Sequence, residues 1–193
     1  MNVAASPFSR LCGALAALAV LCALALSAAV ADQSDPALDR LFGVLQSTDD
    51  AAEAHAADQE IWRRWTESGD ATVDRLMQTG LVALHAGDLR AAETVFAEIT
   101  ERLPDFAEGW NKRATVRYFQ GNFDGAIADC GRVLALEARH YGALSGMGLI
   151  HLARDDKAKA LQWFKRALAV NPHMSGVKAH VSALQNELKG RPI

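Results

Sequence analysis

The fold is decided by residues 73–174, which divide into three consecutive lines: VDRLMQTGLVALHAGDLRAAETVFAEITERLPDF at 73–106, AEGWNKRATVRYFQGNFDGAIADCGRVLALEARH at 107–140 and YGALSGMGLIHLARDDKAKALQWFKRALAVNPHM at 141–174. Sliding the chain along itself by 34 residues aligns these lines without a gap. The turn inside each line recurs as HAGDL at 85–89, FQGNF at 119–123 and ARDDK at 153–157. A fixed period of this length is typical of repeat architectures, in which each unit buries its apolar face against its neighbours.

Small and bulky residues recur at fixed places in the three lines and indicate a pair of packed helices in each. A small residue stands in each first half, at Gly80, Ala114 and Gly148. An Ala opens each second half, at Ala92, Ala126 and Ala160, and four residues later come Phe96, Cys130 and Phe164. We expect the small residues where two helices cross closely, because a larger side chain would push the helices apart.

This pattern resembles the tetratricopeptide (TPR) family, whose repeats follow W-x2-L-G-x2-Y…A-x3-F…P. The residues that carry the resemblance are Leu76, Gly80, Ala92, Phe96 and Pro104 in the first line, Trp110, Ala114, Ala126 and Val133 in the second, and Leu144, Met147, Gly148, Ala160, Phe164 and Pro172 in the third. Arg113 and Arg117 depart from the usual Leu and Tyr, and Cys130 replaces the Phe. Over just over half of the chain, the resemblance implies an all-α, right-handed superhelical solenoid of antiparallel helical hairpins.

The segments on both sides of the repeats are predicted to be helical. An apolar stripe at Val177, Val181, Leu184 and Leu188 has helical spacing, so 175–193 is predicted to be a capping helix with a short tail. Residues 32–72 are predicted to form a divergent N-terminal helical hairpin, whose second helix turns Ala54, Ala57, Ile61 and Trp65 to one face. We expect 36–69 to stack in front of the first repeat.

Residues 1–31 are predicted to be a secretory signal peptide. Arg10 precedes an uncharged Ala/Leu-rich run from Leu11 to about Leu26, and the triplet Ala29-Val30-Ala31 offers a cleavage site before Asp32. The alternative is an uncleaved membrane anchor, because the apolar stretch is nearly long enough to span a bilayer. Cleavage is favoured because the A-x-A triplet lies where the apolar run ends, and it implies a periplasmic protein with Cys130 as its one cysteine.

Composition and motifs argue against most catalytic and nucleic-acid functions. The net charge is −3 with acids and bases interspersed, so no basic stripe indicates a nucleic-acid surface. The six His residues form neither H-E-x-x-H nor a tight cluster, and no nucleophile elbow or phosphate loop is present. The sequence therefore predicts no catalytic residue, no metal site and no cofactor. Cys130 is predicted to lie in the core, because its repeat position matches Phe96 and Phe164.

A partner surface is implied by the resemblance, because the first helices of TPR hairpins line a concave groove. The positions that match this groove give a predicted partner site of Asn111, Lys112, Thr115, Tyr118, Phe119, Leu81, Leu149 and Leu152. The Lys/Asn/Arg clamp with which chaperone-binding members hold a terminal carboxylate is absent, since its places hold Met77, Leu81, Gly142 and Gly146. Trp62 and Trp65 are a second candidate surface, unless they anchor the N-terminal hairpin.

These observations predict a non-catalytic periplasmic scaffold, adaptor or assembly factor that binds a protein or peptide of the cell envelope. One alternative is an accessory subunit held at the inner membrane by an uncleaved N-terminal segment. An alternative of another class is a small-ligand binder or enzyme that uses a pocket within the helical stack. The identity of the partner and the oligomeric state stay open at this point.

Overall fold

A computed structural model describes residues 36–189, and every regular element in that range is an α-helix. The helices are α1 Pro36–Ser47, α2 Ala51–Thr66, α3 Ala71–His85, α4 Leu89–Arg102, α5 Ala107–Phe119, α6 Phe123–Leu136, α7 Tyr141–Ala153, α8 Lys157–Val170 and α9 Ser175–Lys189. The all-α prediction is confirmed. Helices α3–α4, α5–α6 and α7–α8 are the three repeat hairpins, and α9 packs on α8 as the capping helix.

The helix boundaries follow from caps and turns encoded in the repeat. At the starts of six helices the side chain of the capping residue accepts a hydrogen bond from a backbone N–H two or three residues later. The capping residues are Asp50, Asp70, Asp88, Asn122, His140 and Asp156. The turn inside each hairpin needs a left-handed residue, which is Gly87 at φ 76°, Gly121 at φ 75° and Asp155 at φ 58°. Glycine adopts this conformation freely, whereas the Cβ of Asp155 makes it less favourable in the third repeat.

The close helix crossings expected from the small residues are present. A Cβ added at Gly80 would lie 2.5 Å from the Phe96 ring, and one added at Gly148 would lie 2.5 Å from the Phe164 ring. Both Phe side chains are fully buried. In the second repeat the same crossing is made by Ala114 and Cys130, so a larger residue on α5 faces a smaller one on α6.

The N-terminal hairpin forms, but it does not stack in front of the first repeat as expected. Trp65 stacks on His140 with ring centroids 4.1 Å apart, and the Tyr141 hydroxyl donates a 2.6 Å hydrogen bond to Asp58. Asn171 donates to the same carboxylate at 2.9 Å. The cluster that α1 and α2 form with the third repeat consists of Leu38, Phe42, Leu45, Ala54, Ala57, Ile61, Trp65 and Tyr141. The hairpin folds back because its packing and hydrogen-bonding partners belong to later repeats. His140 and Tyr141 lie at the junction of the second and third repeats, and Asn171 lies at the end of the third.

Within residues 36–189, the folded-back hairpin does not cover the leading face of the first repeat. Val116 of α5 and Ile150 of α7 are 0% and 1% exposed, because the preceding repeat covers them. Val82 holds the same place in α3, 34 residues before Val116, and it is 68% exposed. This difference locates the N-terminal hairpin away from that face.

The predicted signal peptide, residues 1–31, lies outside the described residues, as does the end of the predicted tail. Between residues 36 and 189, no helix has the length and apolar character needed to span a membrane.

Candidate functional site

A groove opens between the first helices of the second and third repeats. It encloses about 220 Å³ and has no Asp, Glu, Lys or Arg among its lining residues, which are Asn111, Ala114, Thr115, Tyr118, Phe119, Cys130, Gly142, Gly146, Leu149 and Ile150. Helix α5 supplies one wall and α7 the other, while Cys130 of α6 lies at the floor. Five residues of the sequence-predicted partner site meet here, namely Asn111, Thr115, Tyr118, Phe119 and Leu149.

Two consecutive aromatic residues form the outer wall of the groove. Phe119 is 60% exposed, whereas Tyr118 is partly buried and packs against Phe123 of the same hairpin, with ring centroids 5.9 Å apart. The two aromatic rings contact each other at 5.6 Å. Tyr118 therefore holds the wall in place while Phe119 presents apolar area to solvent, the kind of surface that partner-binding sites use.

The polar end of the groove is fixed by a buried carboxylate. The amide of Asn111 donates to Glu108 at 2.9 Å, and Lys112 forms a 2.8 Å ion pair with the same carboxylate. His140 accepts the Ala143 N–H at Nδ1, so its Nε2 carries the proton and donates to Glu108 at 3.2 Å. Burial alone would raise the pKa of Glu108, but the His140 hydrogen bond and the Lys112 charge outweigh this effect and lower that pKa from its ordinary value. The network neutralises Lys112 beside the groove.

Helix α2 borders the groove at its Gly142 end. A Cβ at Gly142 would lie 2.8 Å from the Trp62 ring, and the Lys112 ammonium lies 5.9 Å from that ring. Trp65 is 1% exposed behind it. The two Trp residues therefore anchor the N-terminal hairpin, and the hypothesis that they form a second partner surface is not supported.

The remaining sequence-predicted site residues lie elsewhere. Leu81 and Lys112 line a separate cavity of about 320 Å³, between the end of α2 and the first repeat. Leu152 packs beside the buried cluster that contains Leu144 and Phe164, so it supports the core of the third repeat. The groove on α5 and α7 thus unites five of the eight residues and leaves three outside.

Arg113 and Arg117, the two departures from the TPR pattern, share one buried partner. Arg113 makes a bidentate contact with Asp129 at 2.8 and 2.9 Å, and Arg117 reaches the same carboxylate at 2.9 Å. Each arginine also contacts α4, through Thr100 at 2.8 Å and Glu93 at 2.9 Å. Asp129 is 2% exposed, so this network joins the first two repeats and does not face a ligand.

The sequence-based site missed the floor of the groove. From the sequence, Ala114 was predicted to pack at a helix crossing and Cys130 to lie in the core, Gly146 was named only as a place where the carboxylate clamp is missing, and Ile150 was not singled out. Burial, and second the neighbouring Asp129 carboxylate, raise the pKa of the Cys130 thiol to about 12, so the floor is uncharged at neutral pH. A signal was present in the sequence, because Cys130 is smaller than the Phe at the same place in the other repeats.

A cavity of about 580 Å³ lies between α2 and the start of α9. In its lining, the Tyr141 hydroxyl and the Asn171 amide both donate to the Asp58 carboxylate and hold the N-terminal hairpin. Among residues 36–189, no three His, Cys, Asp or Glu side chains are grouped closely enough to hold a metal ion.

With this geometry established, the relatives of the chain define its family. A family model described as tetratricopeptide repeat matches residues 77–130 and 111–174. The chain belongs to the tetratricopeptide-repeat family. A TPR repeat-containing protein of Rhizobium etli is 35% identical over 153 residues, covering 79% of this chain and 75% of that protein.

Solved TPR structures share the fold. The first TPR domain of Spaghetti (RPAP3), bound to an HSP90 peptide, superposes with a TM-score of 0.59 at 19% identity, over 63% of this chain and 97% of that one. The Yersinia enterocolitica type III secretion chaperone SycD, in complex with a peptide of the translocator YopD, superposes with a TM-score of 0.58 at 13% identity, over 62% and 96%. The superposition confirms a right-handed TPR solenoid.

Proposed function

We propose that this TPR protein is a non-catalytic adaptor or assembly factor of the cell envelope, which binds a polypeptide in the groove between α5 and α7. The observation that carries the proposal is the exposed Phe119 beside an uncharged groove in an otherwise well-covered second repeat. Peptide complexes of TPR proteins with the same fold, such as SycD with a YopD peptide, support a polypeptide ligand. The missing carboxylate clamp favours an internal segment over a C-terminus.

The periplasmic location rests on the N-terminal sequence, from the apolar run to Ala29-Val30-Ala31. The test is the N-terminus of the full-length gene product after expression in a bacterial cell with a C-terminal tag. A chain that starts at Asp32 in the soluble periplasmic fraction supports export and cleavage. A chain that keeps Met1 in the membrane fraction supports the anchored alternative.

Partner binding is tested by cross-linking and affinity capture from the envelope fraction. The parent protein is compared with a Tyr118→Ala, Phe119→Ala double variant and with Val82→Ala. The second is a matched control, because Val82 is a 68% exposed apolar side chain that lies outside the groove. We expect the double variant to lose at least tenfold of the capture, because aromatic interface residues commonly contribute about 2 kcal/mol, or roughly thirtyfold in affinity.

All variants are first checked for unchanged helical circular dichroism and melting temperature. Capture that survives in the double variant, or that falls equally in Val82→Ala, contradicts a groove on the second repeat. A bound small molecule without any polypeptide would instead favour the small-ligand alternative.

A further inference from the structure

The second repeat differs from its neighbours at the crossing of its two helices. In the first and third repeats a Phe ring on the second helix covers a glycine on the first, and it is fully buried. In the second repeat the thiol of Cys130 replaces that ring. Ala114 stands in place of the glycine and adds only one methyl group, which is smaller than the missing ring. The space that a Phe ring occupies elsewhere is therefore partly empty below the groove.

The residues around this space leave it open toward the groove. Gly146 has no side chain above Cys130, and an added Cβ there would lie 3.7 Å from the sulfur, an ordinary contact distance. Gly142 likewise contributes no side chain, while Tyr118 and Leu149 stand at the sides. The cavity is thus a hole with walls and a floor, and nothing from residues 36–189 fills it.

From this geometry we propose that the hole is a specificity pocket which admits one large aliphatic or aromatic side chain of the partner polypeptide, with Cys130 and Ala114 setting its depth. This proposal rests on the proposed function and adds the chemistry of the ligand. The volume of about 220 Å³ suits a side chain, since it is below the roughly 300–1,000 Å³ of small-molecule pockets.

Charged side chains are excluded by the surroundings of the pocket. Its lining carries no ionic group, and Lys112, next to the lining residue Asn111 in the chain, is paired with the buried Glu108 at 2.8 Å. A carboxylate or ammonium entering the pocket would lose its water without gaining a counter-charge. Small side chains such as Ala would leave most of the volume unfilled and gain little buried apolar area.

The test is an NMR titration of the ¹⁵N-labelled protein, expressed from the full-length gene and used in the form that the cell produces. The ligands are pentapeptides Ala-Ala-X-Ala-Ala with blocked ends. We expect X = Leu and Phe to shift the amide signals of Gly146 and Ile150, at concentrations up to roughly 10 mM where weak binding is measurable. Peptides with X = Ala, Lys or Glu are expected to bind at least tenfold more weakly. Equal shifts with all five, preference for a charged X, or no shift with any peptide would overturn the proposal.

Two variants fill the pocket in different ways. Ala114→Gly with Cys130→Phe recreates the Gly–Phe pair of the other repeats, and Gly146→Ala adds one methyl at an unstrained distance. We expect the first to abolish the Leu and Phe shifts and the second to weaken binding several-fold. Gly146→Ala keeps the proposal testable if the double variant does not fold, because unchanged binding in Gly146→Ala would count against it.

The same variants separate this proposal from the proposed function when a polypeptide is captured from the envelope. Capture that depends on Tyr118 and Phe119 but is unchanged by both pocket-filling variants leaves the groove function standing and refutes the pocket. Capture that ignores Tyr118 and Phe119 refutes the groove itself. Loss in all of these variants, with Val82→Ala unaffected, supports both.

Discussion

The pairing of Ala114 with Cys130 predicts a strong energetic coupling between these two positions. A Phe side chain at position 130 would meet the Ala114 methyl, and in the other repeats a methyl at the glycine would lie 2.5 Å from the Phe ring. Overpacking of this kind costs about 1–3 kcal/mol, which is the expected loss for Cys130→Phe alone. Ala114→Gly alone should cost about 1–2 kcal/mol, from the lower helix propensity of glycine and a lost buried methyl.

The double variant Ala114→Gly, Cys130→Phe should lose less free energy of unfolding than the two single variants lose together. Removing the Ala114 methyl relieves the contact that penalises the introduced Phe side chain, so we expect a coupling free energy of about 1–3 kcal/mol in favour of the pair. Urea unfolding followed by circular dichroism at constant slope gives the four stabilities of the cycle. In a control cycle with Ala114→Gly, Val82→Ala takes the place of Cys130→Phe. Val82 is exposed on α3 and is not part of the cluster around Ala114, so we expect the two changes to be additive.

A coupling free energy within about 0.5 kcal/mol of zero would contradict a direct contact between positions 114 and 130, since that is the scatter expected for independent sites. It would mean that the introduced Phe ring avoids Ala114 by turning into the groove. In that case the crossing of α5 and α6 does not set the depth of the cavity.

Three further changes probe the rest of the structure. Asp129→Ala should destabilise the protein by about 3–5 kcal/mol in urea unfolding, because two partly buried arginines lose their shared carboxylate; a loss under about 1 kcal/mol would contradict this. Glu108→Gln should have a lower free energy of unfolding than the parent at pH 7. The difference should shrink as the pH falls below about 4.5, because the lowered pKa of Glu108 means that its ionised form stabilises the folded state and that this stabilisation is lost on protonation. A difference that does not depend on pH would contradict this. Asp155→Gly should raise stability by about 0.5–1 kcal/mol, because glycine adopts φ 58° without a Cβ penalty; a lower melting temperature would show that the Asp155 side chain matters more than the backbone.

Much of the fold can be predicted from the sequence, because each repeat forms the same local structure. The 34-residue period predicts three hairpins, and α5 and α7 begin at Ala107 and Tyr141, the first residues of the second and third lines. The glycine–phenylalanine crossings also follow from sequence, because their residues are close along the chain and recur at fixed spacing. The α5 part of the groove, from Asn111 to Phe119, was predictable for the same reason.

The position of the N-terminal hairpin could not be read in this way. It depends on contacts such as Tyr141 with Asp58, which are 83 residues apart, and Asn171 with Asp58, which are 113 apart. Nothing in the spacing of residues 36–66 indicates that their apolar face fits the third repeat better than the first. The choice is made by the shape and hydrogen-bonding groups of a surface that exists only after the repeats have folded.

The helices, the repeat hairpins and the family therefore follow from the amino-acid sequence, because they rest on short-range periodicity and nearest-neighbour packing. The grouping of polar and small residues into networks and a groove becomes visible only in the folded protein. The tertiary structure brings Arg113, Arg117 and Asp129 into one network and makes Cys130 the floor of a groove. Each of these groups needs side chains from three helices to meet at one point. The spacing of residues along the chain does not give the distances between helices, which are set only when the helices pack.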